Sequence, residues 1–160
     1  MRIVARYSFN NGKDVVQSKY FNLLTEIEQA VHQVDSSVLK TKQSKEKTMP
    51  GEMLYDPKRL NKDFKKYFGE LGWNPVRVTC EYPTKFYVHD YTPPDLKRGA
   101  FREMDFVKEK LGVEVQFGKY SFMVYNVAAK MTIFSNLGYI DAGVEIVTVK
   151  AFANQMSSGV

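Results

Sequence analysis

The chain has 160 residues, 44% of them hydrophobic and 26% charged, proportions that exclude disorder over the whole chain and fit one domain able to bury a core without disulfides or metals as props. Lys and Arg outnumber Asp and Glu by 23 to 18, a formal charge of +5, which permits a polyanionic partner such as nucleic acid without requiring one. A single cysteine, Cys80, beside two histidines, His32 and His89, excludes an internal disulfide framework and a Cys/His zinc site and fits a reducing, intracellular compartment.

In Met1 to Phe9 charges interrupt the apolar residues every few positions, so no signal-peptide core can be placed there, and the chain has nothing near the roughly 18 uninterrupted apolar residues of a membrane-spanning helix. The expectation is a soluble, cytoplasmic protein with no membrane partner. Arg2 to Phe9 reads as a short strand, followed by an Asn10-Asn11-Gly12 turn signal. From Tyr20 to Asp35, Phe21, Leu24, Ile27, Val31 and Val34 recur every three or four positions, the stripe of an amphipathic helix, with His32 an ordinary residue beside it. Lys40 to Thr48 is a basic polar run without periodicity, closed by Pro50-Gly51, and predicts a loop. Asp56 as N-cap and Pro57 at the first helical position open a second helix, which carries Leu60, Phe64, Phe68 and Leu71 before Gly72 ends it. Lys58, Arg59, Lys62, Lys65 and Lys66 lie on its outer side, either as a solvated face or as a surface for phosphates.

Val76 to Val88 predicts two strands or one bent strand broken at Pro83, with Cys80 a small buried residue. His89-Asp90 lacks the further ligands of a metal site and begins an exposed connection that runs through Pro93-Pro94 to Gly99. Residues 111 to 118 then alternate: Leu111, Val113, Val115 and Phe117 fall on one face, Glu114 and Gln116 on the other, between Gly112 and Gly118. Asp105-Phe106-Val107 is a second short strand. If the connection turns about Glu109 and Lys110, antiparallel pairing sets Asp105 opposite Glu114.

Like charges so placed are destabilising unless something compensates them. A divalent cation would do so, because two carboxylates and a strand carbonyl such as that of Val115 make an oxygen-rich site suited to Mg²⁺. A cation there can position a water, lower its pKa and neutralise charge on a phosphoryl group. Gln116 can hold that water but has no titratable group with which to deprotonate it. Paired strands with ordinary exposed polar residues would show the same spacing, so the pattern alone leaves both readings open. After Gly118 and Lys119-Tyr120, Ser121 is a candidate N-cap, and Phe122 to Phe134 is apolar on nearly every side, a buried helix; Ala142 to Val149 predicts a buried strand. The expected fold is α/β, a mixed β-sheet flanked by helices.

Asp105, Glu114-Val115-Gln116-Phe117, Tyr120 and Phe122 resemble the active-site segment of the BglII and BstYI type II restriction endonucleases, within the PD-(D/E)xK nuclease superfamily. The likeness to BstYI is the closer. It extends through Thr41 to Thr48, Leu54-Tyr55, Leu60-Asn61, Gly72-Trp73 and Met156-Ser157-Ser158-Gly159, in similar order. The resemblance implies a restriction-endonuclease-like core in which Asp105, Glu114 and the Val115 carbonyl bind Mg²⁺. Gln116 stands where the superfamily pattern usually has Lys, which leaves activation of the water to the metal. The implied reaction is attack of water on a phosphodiester of double-stranded DNA, leaving 5′-phosphate and 3′-hydroxyl ends. The implied target is a palindrome containing GATC, cut by a homodimer whose symmetry mirrors that of the site. The family analogy assigns base reading to Lys119, Ser157 and Ser158 and phosphate contacts to Lys45 and Lys47; a surface lysine and a flexible polar tail are the plain alternatives. The relatives continue for several tens of residues past the position of Val160. The expectation is therefore one endonuclease domain over 1–160, either a short version or a piece lacking their C-terminal segment. In the latter case a DNA-binding module with lost or weak catalysis is the alternative.

Overall fold

The computed structural model describes residues 1–45, 47, 49–80, 86–92, 99–117 and 121–157, with Ser121 described by its backbone alone. Helices α1 (Gly12–Lys19) and α2 (Phe21–Gln33) lead to a two-residue ladder, β1 (Lys42–Gln43) against β2 (Met53–Leu54). Helix α3 (Pro57–Glu70) follows, then β3 (Asn74–Thr79), β4 (Phe101–Lys108) and β5 (Leu111–Gln116). The next helix begins as α4 (Ser121–Tyr125), widens into π-helical turns over Asn126–Met131 and resumes as α5 (Thr132–Asn136); β6 (Ala142–Val147) and α6 (Lys150–Ala153) complete the order.

Strands β3-β4-β5-β6 form one mixed sheet, antiparallel except for the parallel β5–β6 pair. The helix joining β5 to β6 supplies the crossover that a parallel pair requires. The α/β expectation, a mixed sheet flanked by helices, is the fold observed. No helix among the described residues is long and apolar enough to cross a membrane.

Helix α3 has the predicted ends. The Asp56 carboxylate accepts the Lys58 N–H at 2.9 Å, Pro57 occupies the first turn, and Gly72, at φ 82°, adopts the left-handed conformation that closes the helix. Leu60, Phe64 and Phe68 are fully buried. Phe64 packs on Phe117 at 5.4 Å between ring centroids and Phe68 stacks on Phe106 at 4.4 Å. These contacts set α3 across β4 and the far end of β5. With α2 and Trp73 they make the larger core; a smaller one, of Met104, Phe134 and Ile140, fills the other side of the sheet.

Two irregularities shape that second side. The β3–β4 register steps from Asn74↔Val107 to Val76↔Met104, so Asp105 and Phe106 together face Pro75, a bulge at a position where proline has no N–H to give the ladder. The step puts Met104 and Phe106 into different cores although they lie two residues apart. Gly112 and Gly143 pair across β5 and β6; a Cβ on Gly143 would come within 2.5 Å of the Met131 sulfur, so the glycine lets the π-helical turn approach the sheet.

Five expectations need correction. Arg2–Phe9 forms no strand: Met1 and Ile3 pack against the core, the Met1 amino group donates to the Val34 carbonyl, and Val4, Tyr7 and Phe9 stay exposed. Ile3, Ala5, Tyr7 and Phe9 alternate as a strand would, yet the segment pairs with no strand and packs through Met1 and Ile3 alone. Lys40–Thr48, expected as loop throughout, contributes β1. The apolar helix after Ser121 is buried along one side only, with Phe122 and Val124 exposed, and β6 is half-buried because it is an edge strand. Of the Val76–Val88 strand expectation, β3 ends at Thr79, Cys80 is half-buried, and Pro83 lies outside the described residues, as do Pro93 and Pro94.

Candidate active site

Glu109 and Lys110, at φ 48° and 67°, make the two-residue turn between β4 and β5, both residues in the left-handed conformation of the hairpin turn whose twist matches the strands. The register is the one expected: Lys108↔Leu111, Val107↔Gly112 and Phe106↔Val113. One step further, at Asp105 and Glu114, carboxylates replace the ladder. The Asp105 N–H donates to Glu114 Oε1 at 3.1 Å, and the Val115 N–H donates to Asp105 Oδ2 at 3.0 Å. Each carboxylate is thus held by a backbone amide of the neighbouring strand, and the bulge beside Pro75 lets Asp105 turn toward β5.

Glu114 is almost fully buried, and burial and the Asp105 charge together push its carboxyl up to about 7. Burial raises Asp105 as well, opposed by the Val115 amide and by the charges of Lys130 and Lys65. Glu114 Oε2 accepts from Lys130 Nζ at 2.7 Å, with the two side chains 3% and 15% exposed. The cation comes from the π-helical turn. Four residues earlier on that turn, buried Asn126 donates through Nδ2 to Gln116 Oε1 and to Glu145 Oε1, each at 3.2 Å. Glu145 lies beside Glu114 in the parallel β5–β6 register, its carboxyl raised by burial.

The structure therefore brings Asp105, Glu114 and Gln116 together and adds Lys130, Asn126 and Glu145, which the sequence reading did not single out. Asn126 and Lys130 stand out there only as polar residues in an apolar helical run. Glu145 had a clearer signal: Gly143-Val144-Glu145-Ile146 repeats Gly112-Val113-Glu114-Val115, and the two segments pair in register. Ser157 is not a free tail: it is buried, and its N–H donates to the Tyr55 carbonyl at 3.0 Å. Lys45 and Lys47 are exposed in the connection between β1 and β2. Lys119 and Ser158 lie outside the described residues.

Two raised carboxylates, Glu114 buried and Asp105 half-buried, suit a hard divalent cation that takes few protein ligands and keeps several waters. No group of three or more His, Cys, Asp or Glu side chains converges on one point among the described residues, so the pair itself is the candidate ligand set.

The sequence profile of the family described as restriction endonuclease BglII/BglIII matches residues 4–160. The chain belongs to that family. Its activity class is accordingly that of a restriction endonuclease, a nuclease that binds and cleaves DNA. A search of curated proteins found no match.

Proposed function

We propose that this BglII/BglIII-family chain is a type II restriction endonuclease, a Mg²⁺-dependent enzyme that hydrolyses double-stranded DNA at a palindromic site containing GATC, BstYI being the nearer likeness. It acts in the cytoplasm as a homodimer and leaves 5′-phosphates. The observation that carries the reading is the carboxylate pair, buried Glu114 and half-buried Asp105, each fixed by an amide of the opposite strand, inside a family-matched chain. Asp105, Glu114 and the Val115 carbonyl would hold the cation. When bound, Mg²⁺ supplies charge neutralisation at the phosphoryl group and a lowered pKa for water.

The chain's own residues do the rest. The Val115 and Asp105 amides orient the two carboxylates, and Lys130 balances the Glu114 charge until a cation and DNA arrive. Gln116 orients the attacking water through its amide, and Asn126 fixes the rotation of that amide. Lys119, Ser157 and Ser158 read base edges, while Lys45 and Lys47 hold phosphates.

Digestion of a defined plasmid with Mg²⁺, followed by sequencing of the cut ends, tests this reading. Discrete fragments with 5′-phosphate ends are expected, and Asp105→Ala or Glu114→Ala abolishes them. Folded wild-type protein that leaves all unmethylated GATC-containing DNA intact overturns it. Tight duplex binding indifferent to Mg²⁺ and to both substitutions would instead identify a binding module without catalysis.

A further inference from the structure

On helix α3, at about 100° per residue, Lys58, Lys62 and Lys65 fall on one outer flank that carries no acidic residue, while on the other Arg59 and Lys66 alternate with Asp63 and Glu70. All three lysines are exposed, and none forms an ion pair among the described residues. Only the second of these flanks has the mixed signs of an ordinary solvated helix face. The lysine flank also has a direction. Phe64, next to Lys65, packs on Phe117 just past the end of β5, and the Lys65 charge reaches Asp105. At the other end, Lys58 follows Asp56, and Tyr55 is bonded to the Gln155 and Ser157 backbone.

We infer that the Lys58–Lys62–Lys65 flank of α3 is a track for the sugar-phosphate backbone of duplex DNA, leading from the C-terminal segment at Ser157 to the carboxylates at Asp105. The inference rests on the endonuclease reading and specifies where the substrate strand lies. Seven residues of helix rise about 10 Å, against about 3.4 Å of rise per phosphate on one strand of B-DNA, so the three ammonium groups span about four successive phosphates and can each meet a different one. Lys65, nearest Asp105, would grip the phosphate closest to the one that is cut. Such contacts position the duplex and carry no sequence information.

The test is binding of a short GATC-containing duplex by the full chain in EDTA, measured by fluorescence anisotropy over a series of salt concentrations. Each neutralised phosphate adds about 0.9 to the slope of log affinity against log salt. Lys58→Gln, Lys62→Gln and Lys65→Gln combined should therefore lower the slope by about 2 to 3, and each single substitution by about 0.9. A control removing equal charge elsewhere, Arg2→Gln with Lys13→Gln and Lys110→Gln, should leave the slope near the wild-type value. Equal slopes for the α3 variants and wild type, or equal losses in the α3 and control variants, overturn the track while leaving the endonuclease reading intact. No duplex binding by the wild-type chain overturns both.

Discussion

The two faces of the sheet around the outer half of β5 are built on opposite principles, although a small apolar cluster of Met104, Phe134 and Ile140 lies elsewhere on the second face. Against α2 and α3 the sheet presents Phe106, Leu111, Val113, Val115 and Phe117, and the helices answer with Leu60, Phe64 and Phe68. Against the π-helical turn the same strands present Glu114, Gln116 and Glu145, answered by Asn126 and Lys130. The aromatic side supplies cohesion through dispersion and water exclusion, which tolerate no polar group without a partner. The polar side holds like charges in a low-dielectric setting, a costly arrangement that persists because the aromatic side stabilises the fold.

The largest effect expected from this division is on the aromatic side. Phe68 is fully buried and touches both Phe106 and Trp73, so Phe68→Ala should cost about 3 to 5 kcal/mol in chemical denaturation. A loss below about 1 kcal/mol would show that the core does not depend on α3. Next is the polar side, read through pH. The folded-state carboxyl of Glu114 stands at about 7 against an ordinary 4.5. Stability from this group is fully present below the lower value and lost as pH rises through the upper one. The metal-free protein should lose on the order of 3 kcal/mol between pH 5 and pH 8, and Asp105, also raised, acts in the same direction. Glu114→Gln should flatten most of that slope in EDTA. An unchanged slope in the variant would mean that the pair is not the source of the pH dependence.

The smallest effect concerns how closely the helix meets the sheet on the polar side. Gly143→Ala forces a Cβ against Met131, neighbour of Lys130, at an expected cost of about 1 to 2 kcal/mol. Cleavage should fall roughly tenfold as the Lys130 ammonium moves off Glu114, a rate change worth about 1.4 kcal/mol. Met131→Ala in the same chain should restore much of both, the coupling expected of residues in contact. Independent, additive effects would show that the glycine does not set the approach.

These contrasts also explain what could be read in advance. Helix α3 was legible because capping, proline, a three-and-four spacing and a closing glycine all pointed the same way. The β4–β5 register was legible because a two-residue turn leaves no freedom in pairing, and with it came the Asp105–Glu114 meeting. Lys130 was not legible: its side chain reaches Glu114 only because the helix widens at Asn126, and helical periodicity assumes an unwidened helix. The bulge at Asp105 escaped notice because the register shift involves β3, whose pairing depends on residues far away in sequence. Arg2–Phe9 misled because its β-favouring residues compete for a sheet already assembled from later strands, and only Met1 and Ile3 find a core to enter.

The widened turn at Asn126–Met131 has one more consequence, concerning chain length. A π-helical turn holds more residues than the α-helical turn it replaces, so here the helix fits its place between β5 and β6 by spacing as much as by side-chain chemistry. Deleting a single residue within 126–131 would let the helix relax to ordinary winding and rotate Lys130 relative to Asn126, even with both side chains retained. Insertions and deletions in this segment should therefore be tolerated less well than most substitutions, an unusual sensitivity for a helix with so much of its outer surface exposed.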